Sequence, residues 1–326
     1  MAADLVRRTL ELVNIPSPSR DEQRIVEHVR HAVSLPLTYA TDEALLFTTG
    51  RTGRPFVLFA GHLDTVPAQD NLPGSIEDGC VVGLGASDMK GGVAVMVELA
   101  AWAAAEPEAA ACDLGFLFFV REELPAEESA LPRVFAEAPI VRESDLVVVL
   151  EPTDNAIHAG CLGNLTATAV FRGESAHSAR PWQGVNAIDV AVRGLAPLVA
   201  AEPVEVEVGG LTFVEVLSAT RIAGGIADNV IPDRVEVRLN YRYAPSRTPA
   251  EAEDRLHELV ERLRRAGDLA VEPKQAWTPV AEFAAEGLDA VNFGPGATRY
   301  AHRRDERVEI AELERTFETL RSFLSS

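Results

Sequence analysis

The sequence predicts an α/β protein: a mixed, mostly parallel sheet with helices on both faces, interrupted by an inserted α+β unit with an antiparallel sheet. Three observations predict this. Strand-length runs at Phe56–Ala60, Leu114–Val120 and Asp145–Leu150 alternate with helical segments, as in parallel sheets joined by crossovers. From about Leu165 the texture changes to period-two alternation, in LTATAVFRG and DRVEVRLNYRY, which suits antiparallel strands with one wet face. After Gly267 the first texture returns. The implied domains are 1–164 with 269–326, and 165–268 between them.

Each element has a local cause. Residues 2–14 have an amphipathic helical pattern. Ser19 and Glu22 have capping-box spacing ahead of a second helix, with Ile25, Val26, Val29 and Val33 on one face. A strand is expected near Leu45–Thr48, then Phe56–Ala60, then a helix over Val93–Ala105. Leu114–Val120 and Asp145–Leu150 follow, with a further helix between them. In the inserted unit, strands are expected over the alternating runs, Thr212–Leu217 and Arg221–Ala223, with a helix reaching about Ala200. Thr248-Pro249-Ala250-Glu251 is a capping box with proline at the first helical position, opening a helix to about Arg265. Leu269–Glu272 and Ala290–Phe293 are short strand candidates, and Glu309–Leu324 is a last amphipathic helix.

Composition narrows the function. The chain has 326 residues, 47% of them hydrophobic, with 30 basic against 50 acidic side chains and a net charge of −20. That balance argues against nucleic-acid and anionic-membrane partners. An anionic substrate would need a local group of arginines. Three widely spaced cysteines without a CxxC motif suit a reducing compartment. The N-terminus lacks a signal-peptide core, and Val93–Ala105 is too short to span a bilayer. The expectation is a cytoplasmic protein.

The polar residues fall at telling places. His62, Glu122, Glu123 and Glu151 all stand at the C-terminal ends of apolar strands, where open α/β sheets bind ligands. One histidine at a strand end is ordinarily structural, and paired glutamates after one strand are ordinarily solvated. Three strands ending in ligand-type residues favour a site. Asp64, two residues from His62, suits the task of holding the imidazole tautomer. Asp88 sits in GLGASDMKGG, and a lone Asp before a helix is ordinarily an N-cap. That run is no dinucleotide fingerprint, because Asp88 stands where the third glycine belongs.

With His302, the candidate ligands are His62, Asp88, Glu123, Glu151 and His302. Two histidines and three carboxylates, one of them bridging, suit two zinc-like ions. Such a pair, about 3.5–4 Å apart, polarises a carbonyl and takes the pKa of water towards about 7. The remaining glutamate, Glu122, is then free to move the proton from water to a departing amine. His177 is a candidate donor to the oxyanion, against the plain reading of a loop histidine.

GHLDTVP, GxGASDMKGG, REE, EPT, AHSARPWQGVNAI, DNVIPD, NYRYAP and NFGPG…AH..DE occur in order across most of the chain. In these motifs the sequence resembles the dinuclear zinc amidohydrolases that include carboxypeptidase G, acetylornithine deacetylase, aminoacylase and succinyl-diaminopimelate desuccinylase, the last most nearly. The resemblance implies a zinc-peptidase-like catalytic domain with an inserted lid that dimerises, and two Zn2+ per subunit, replaceable by Co2+. It implies Asp88 as the bridge, Asp64 orienting His62, Glu122 as general acid/base and His177 reaching the partner subunit's site in a homodimer. Asn229, Arg242 and Thr278 would contact a small N-acyl amino acid. Arg180, beside His177, adds a guanidinium suited to a carboxylate.

Three departures from the family pattern stand out. Only GDLAVEPKQ separates Ala266 from Ala276, Thr278 is followed by Pro279 rather than Asp, and HAGCLGN lacks an arginine. The leading expectation is a succinyl-diaminopimelate desuccinylase of lysine biosynthesis. Alternatives are another N-acyl-amino-acid deacylase, a dipeptidase, or a non-catalytic binding protein on the same fold.

Overall fold

A computed structural model describes residues 2–124, 126–155, 158–159, 162–208, 211–244, 274–275 and 279–325. Two compact units divide the chain: Met1–Gly160 with Thr278–Ser326, and Cys161–Trp277.

The larger unit is built on a seven-stranded sheet. Its order is Leu37–Ala40, Ala44–Thr48, Asp113–Phe119, Phe56–His62, Leu146–Val149, Ala290–Asn292, His158–Ala159. The four strands from Asp113–Phe119 to Ala290–Asn292 run parallel, and the outer pairings are antiparallel. Every residue of Phe56–His62 and Asp113–Phe119 is buried, as two-sided coverage by helices requires. Phe59 stacks on Phe116 with centroids 5.4 Å apart. Each such fully buried side chain contributes roughly 1.5–3 kcal/mol of hydrophobic stabilisation.

The chain passes from Phe56–His62 through the Gly91–Ala105 helix to Asp113–Phe119 on one side, then returns to Leu146–Val149 on the other. That reversal makes a switch point, with a crevice at the strands' C-terminal ends. The helix is buried nearly all round, so its sequence shows no amphipathic stripe. Its first turn lies so close to the sheet that a Cβ at Gly92 would overlap the Leu150 carbonyl oxygen.

The inserted unit carries a five-stranded antiparallel sheet, in the order Val204–Val208, Leu211–Gly224, Arg234–Tyr243, Gly163–Arg172, Lys274–Gln275. Leu165, Ala167, Ala169, Phe171, Val235, Val237, Leu239 and Tyr241 form its dry face, against Ala187, Ala191 and Leu198 of the Ala187–Val199 helix. Arg234, Glu236, Arg238, Asn240 and Arg242 alternate onto the other face.

Two local expectations are corrected. Ser19 does not cap the Gln23–Ala32 helix, whose N-cap residue is Glu22 with no side-chain capping bond; the Ser19 hydroxyl goes to Asp64 instead. The two strands expected between Thr212 and Ala223 form one strand, Leu211–Gly224, with a register shift between Ala219 and Arg221. The expected helix from Thr248 and strand at Leu269–Glu272 lie outside the described residues.

Gly92→Ala is expected to lower stability by about 1–3 kcal/mol, the usual cost of overpacking. Urea denaturation checks this through a reduced midpoint at unchanged slope. An unchanged midpoint would show that the helix can shift away from Leu150.

Candidate metal centre

The apolar strands position the site because each must end where its hydrophobic run ends. His62 is the last residue of Phe56–His62 and is fully buried. Glu122 and Glu123 follow Asp113–Phe119 in a tight turn, with Arg121 at φ 66. Glu151 lies two residues past Leu146–Val149, and His302, at φ 59, lies in the turns after Ala290–Asn292. Asp88 comes from a short helical turn that loses helical geometry at that residue, φ −123 and ψ 95.

These residues converge. His62 Nε2 is 3.1 Å from Asp88 Oδ1 and 3.8 Å from Glu151 Oε1. His302 Nε2 is 3.4 Å from Asp88 Oδ2 and 2.9 Å from Glu123 Oε1. The two oxygens of Asp88 therefore face two different histidines, each with a further carboxylate beside it. Donor atoms of His62, Asp88 and Glu151, and those of Asp88, Glu123 and His302, lie within 4.8 Å of one another in each trio. A third trio, His62, Glu122 and Glu123, places Glu122 beside both.

Asp64 supports this group from below. His62 Nδ1 donates to the Asp64 main-chain carbonyl at 3.0 Å, with the Asp64 carboxylate 3.5 Å away. That bond sets the tautomer and leaves Nε2 toward Asp88. The carboxylate itself accepts from Ser19 Oγ at 2.7 Å, Glu122 N at 3.1 Å and Glu123 N at 3.2 Å. The sequence signal for Asp64 was its spacing from His62. Ser19 carried none, because its spacing from Glu22 has a local explanation.

Electrostatics follow from crowding part-buried acids at one rim. Burial, then the neighbouring Glu123, Asp88 and Asp64 carboxylates, raise Glu122 to about 8 against the pull of His62. Burial and Asp88 lift Glu151 well above the carboxylate range. Burial opposes ionisation of His62, but bonds to Asp64 and Asp88 raise it well above 6.5. Hydrogen bonds to Asp88 and Glu123 raise His302 to about 10. Asp88 is held well below its usual range, against its burial, by the two histidines.

The donors fit divalent metal ions. Glu151 Oε1 is buried without a hydrogen-bond partner, a costly arrangement that a cation would relieve. The set is imidazole and carboxylate only, as zinc-type ions accept.

The other expected residues lie in the inserted unit. His177 is exposed and pairs with Val230 across a short two-stranded ladder. Its Nδ1 accepts from Ala179 N at 3.1 Å, which leaves Nε2 to carry the N–H. Arg180 N donates to His177 O at 2.8 Å, and Ser178 N to Asn229 O at 3.0 Å, so His177, Arg180 and Asn229 share one corner. Arg242 does not join them: it is eight residues past Arg234 on Arg234–Tyr243, roughly 27 Å along the strand. Thr278 lies outside the described residues.

A model of peptidase family M20/M25/M40 matches residues 58–326. A Mycobacterium tuberculosis protein named as a candidate succinyl-diaminopimelate desuccinylase is 38% identical over 353 aligned positions, covering 99% of each chain. The succinyl-diaminopimelate desuccinylase of Corynebacterium glutamicum is 33% identical, covering 100% of this chain and 97% of its own. Among solved structures, an M20 family metallo-carboxypeptidase of Sulfolobus solfataricus aligns with a TM-score of 0.74 at 14% identity, over 99% of this chain and 98% of its own. A dinuclear metal-binding M20 peptidase of Bacillus subtilis gives 0.66 at 16%, over 99% and 97%. At such identities the structural likeness shows a shared fold.

The raised His302 value has a pH consequence. A histidine whose folded pKa exceeds its unfolded value of 6.5 stabilises fully below that value, and the contribution is lost as pH rises through about 10. Chelator-treated protein is therefore expected to lose unfolding free energy between about pH 6.5 and 10, and His302→Gln to flatten that slope. Parallel slopes for the two proteins would show that His302 takes no extra proton on folding.

Proposed function

The chain belongs to peptidase family M20/M25/M40, and from that membership we propose that it removes the succinyl group of N-succinyl-L,L-diaminopimelate, giving succinate and L,L-diaminopimelate. The observation that carries the hydrolytic reading is the divided allegiance of Asp88, one oxygen toward His62 and the other toward His302. The substrate rests on full-length identity of 33–38% to proteins named for that reaction.

His62, Asp88 and Glu151 would hold one ion and Asp88, Glu123 and His302 the other, with zinc in both positions and cobalt able to replace it. Bound there, the ions would acidify a water and polarise the scissile carbonyl. Every other task falls to the protein. Glu122, beside His62 and raised to about 8, takes the proton of the attacking water and returns it to the amine nitrogen as the C–N bond breaks. Cations beside it would lower that value towards the working pH. Asp64 holds His62 and the Glu122–Glu123 turn in register. His177, with its N–H on Nε2, is suited to donate to the tetrahedral oxyanion.

His177 would complete a partner's site in a homodimer joined through the inserted unit. Ile188 and Val192, one turn apart on the Ala187–Val199 helix and 42% and 62% exposed, support that surface, as does Trp182 at 77%. Arg180 and Asn229 at that corner, and Arg242 apart from them, are the proposed contacts to substrate carboxylate or amide groups, the two arginines locally offsetting the net charge of −20. The location proposed is cytoplasmic. No helix among the described residues is long and apolar enough to cross a membrane.

Zinc-loaded protein is expected to turn over succinyl-diaminopimelate in preference to acetylornithine and dipeptides in a panel assay. Selective turnover of acetylornithine would end the substrate assignment. Glu122→Gln should retain its zinc by metal analysis and lose roughly 10²–10⁴-fold in kcat. His177→Ala should lose activity with metals intact, and mixing it with Glu122→Gln should restore part of it. Confirmed heterodimers without recovery would remove the shared site.

A further inference from the structure

Glu306 is the last residue of the AH..DE motif, four residues past His302, and the sequence alone assigns it no task. In the structure it is only 1% exposed. Its Oε1 accepts from Asp88 N at 3.0 Å and Ser87 N at 3.2 Å. Its main chain closes the same loop, with Gly83 N donating to Glu306 O at 2.9 Å. From the other side, Ser87 Oγ donates to Ala297 O at 3.1 Å. A Cβ at Gly296 would overlap the Ser87 side chain.

This clamp answers a need. Asp88 has non-helical dihedrals inside a helical turn, so the surrounding helix does not dictate where its carboxylate points. The orientation matters, because a rotation of the Asp88 backbone would move both oxygens away from His62 and His302 together. Two charge-assisted bonds from consecutive amides to one buried oxygen fix that backbone. The loop that brings His302 to one side of Asp88 also brings Glu306 to its rear.

We propose that Glu306 is a positioning residue: it holds the Asp88 backbone so that the carboxylate spans both cation positions. The inference rests on the metal reading above and adds a residue to it. It predicts that metal binding depends on the acceptor at position 306, although Glu306 faces away from the ions.

The test uses the full-length chain with Glu306→Gln, which keeps an acceptor oxygen, and Glu306→Leu, which keeps volume without one. Zinc affinity is measured by competition with a chromophoric chelator, the cobalt-loaded forms by visible absorption, and kcat and KM separately. Glu306→Leu is expected to weaken metal binding about 10- to 100-fold, as loss of a ligand's supporting partner does. Its cobalt bands should shift, and kcat should fall more than KM rises. Glu306→Gln should recover most of the affinity. Wild-type affinity and cobalt spectrum in Glu306→Leu would overturn the proposal, as would equal losses in the two variants. If Glu306→Leu does not fold, Glu306→Asp, too short to reach both amides, takes its place with the same expectation. Failure of the wild-type chain to bind zinc or cobalt would instead remove the metal reading itself.

Discussion

One buried carboxylate organises the site. Asp64 is inaccessible to solvent, yet its oxygens meet a hydroxyl from the N-terminal loop and two main-chain amides from the turn after Asp113–Phe119. Its own carbonyl fixes the ring of His62. Two segments far apart in sequence are thus registered against this strand end, alongside main-chain bonds of Thr65 with Ser17 and Ser19 and of Leu63 with Phe119. An unsatisfied carboxylate there would be costly, so the charge enforces a specific loop arrangement.

The same logic produces the chemistry. Asp88, Glu122, Glu123 and Glu151, all part-buried, crowd around buried His62 and half-exposed His302. Without cations, crowding and burial hold protons on the acids Glu122 and Glu151 and on both histidines, and Glu151 Oε1 is left without a hydrogen-bond partner. Divalent cations neutralise such a cluster. Proton and metal then compete for the same lone pairs, since histidine must be neutral to ligate. A family of amide hydrolases provides the setting in which that competition is useful.

The inserted unit follows a different rule. Its sheet is dry on one face only, and Glu215 is buried in it by accepting from Tyr241 Oη at 2.8 Å and Ala244 N at 3.0 Å. The corner with His177, Arg180 and Asn229 is built from main-chain bonds between loops. Within it the His177 ring is held through Nδ1, which accepts from Ala179 N.

Much was legible in the chain itself. The apolar runs Phe56–Ala60, Leu114–Val120 and Asp145–Leu150, of strand length and alternating with helical segments, pointed to buried parallel strands, and the structure has them at Phe56–His62, Asp113–Phe119 and Leu146–Val149. Parallel pairing then brings their C-terminal ends, with His62, Glu122, Glu123 and Glu151, to one edge. Only the tertiary structure decided which oxygen faces which histidine, that Ser19 serves Asp64 across 45 residues, and that Glu306 serves Asp88 across 218. Those are hydrogen bonds between positions with no periodic relation. For Ser19 local sequence offered a cheaper explanation, a helix cap, and only the folded chain brings the true partners within reach.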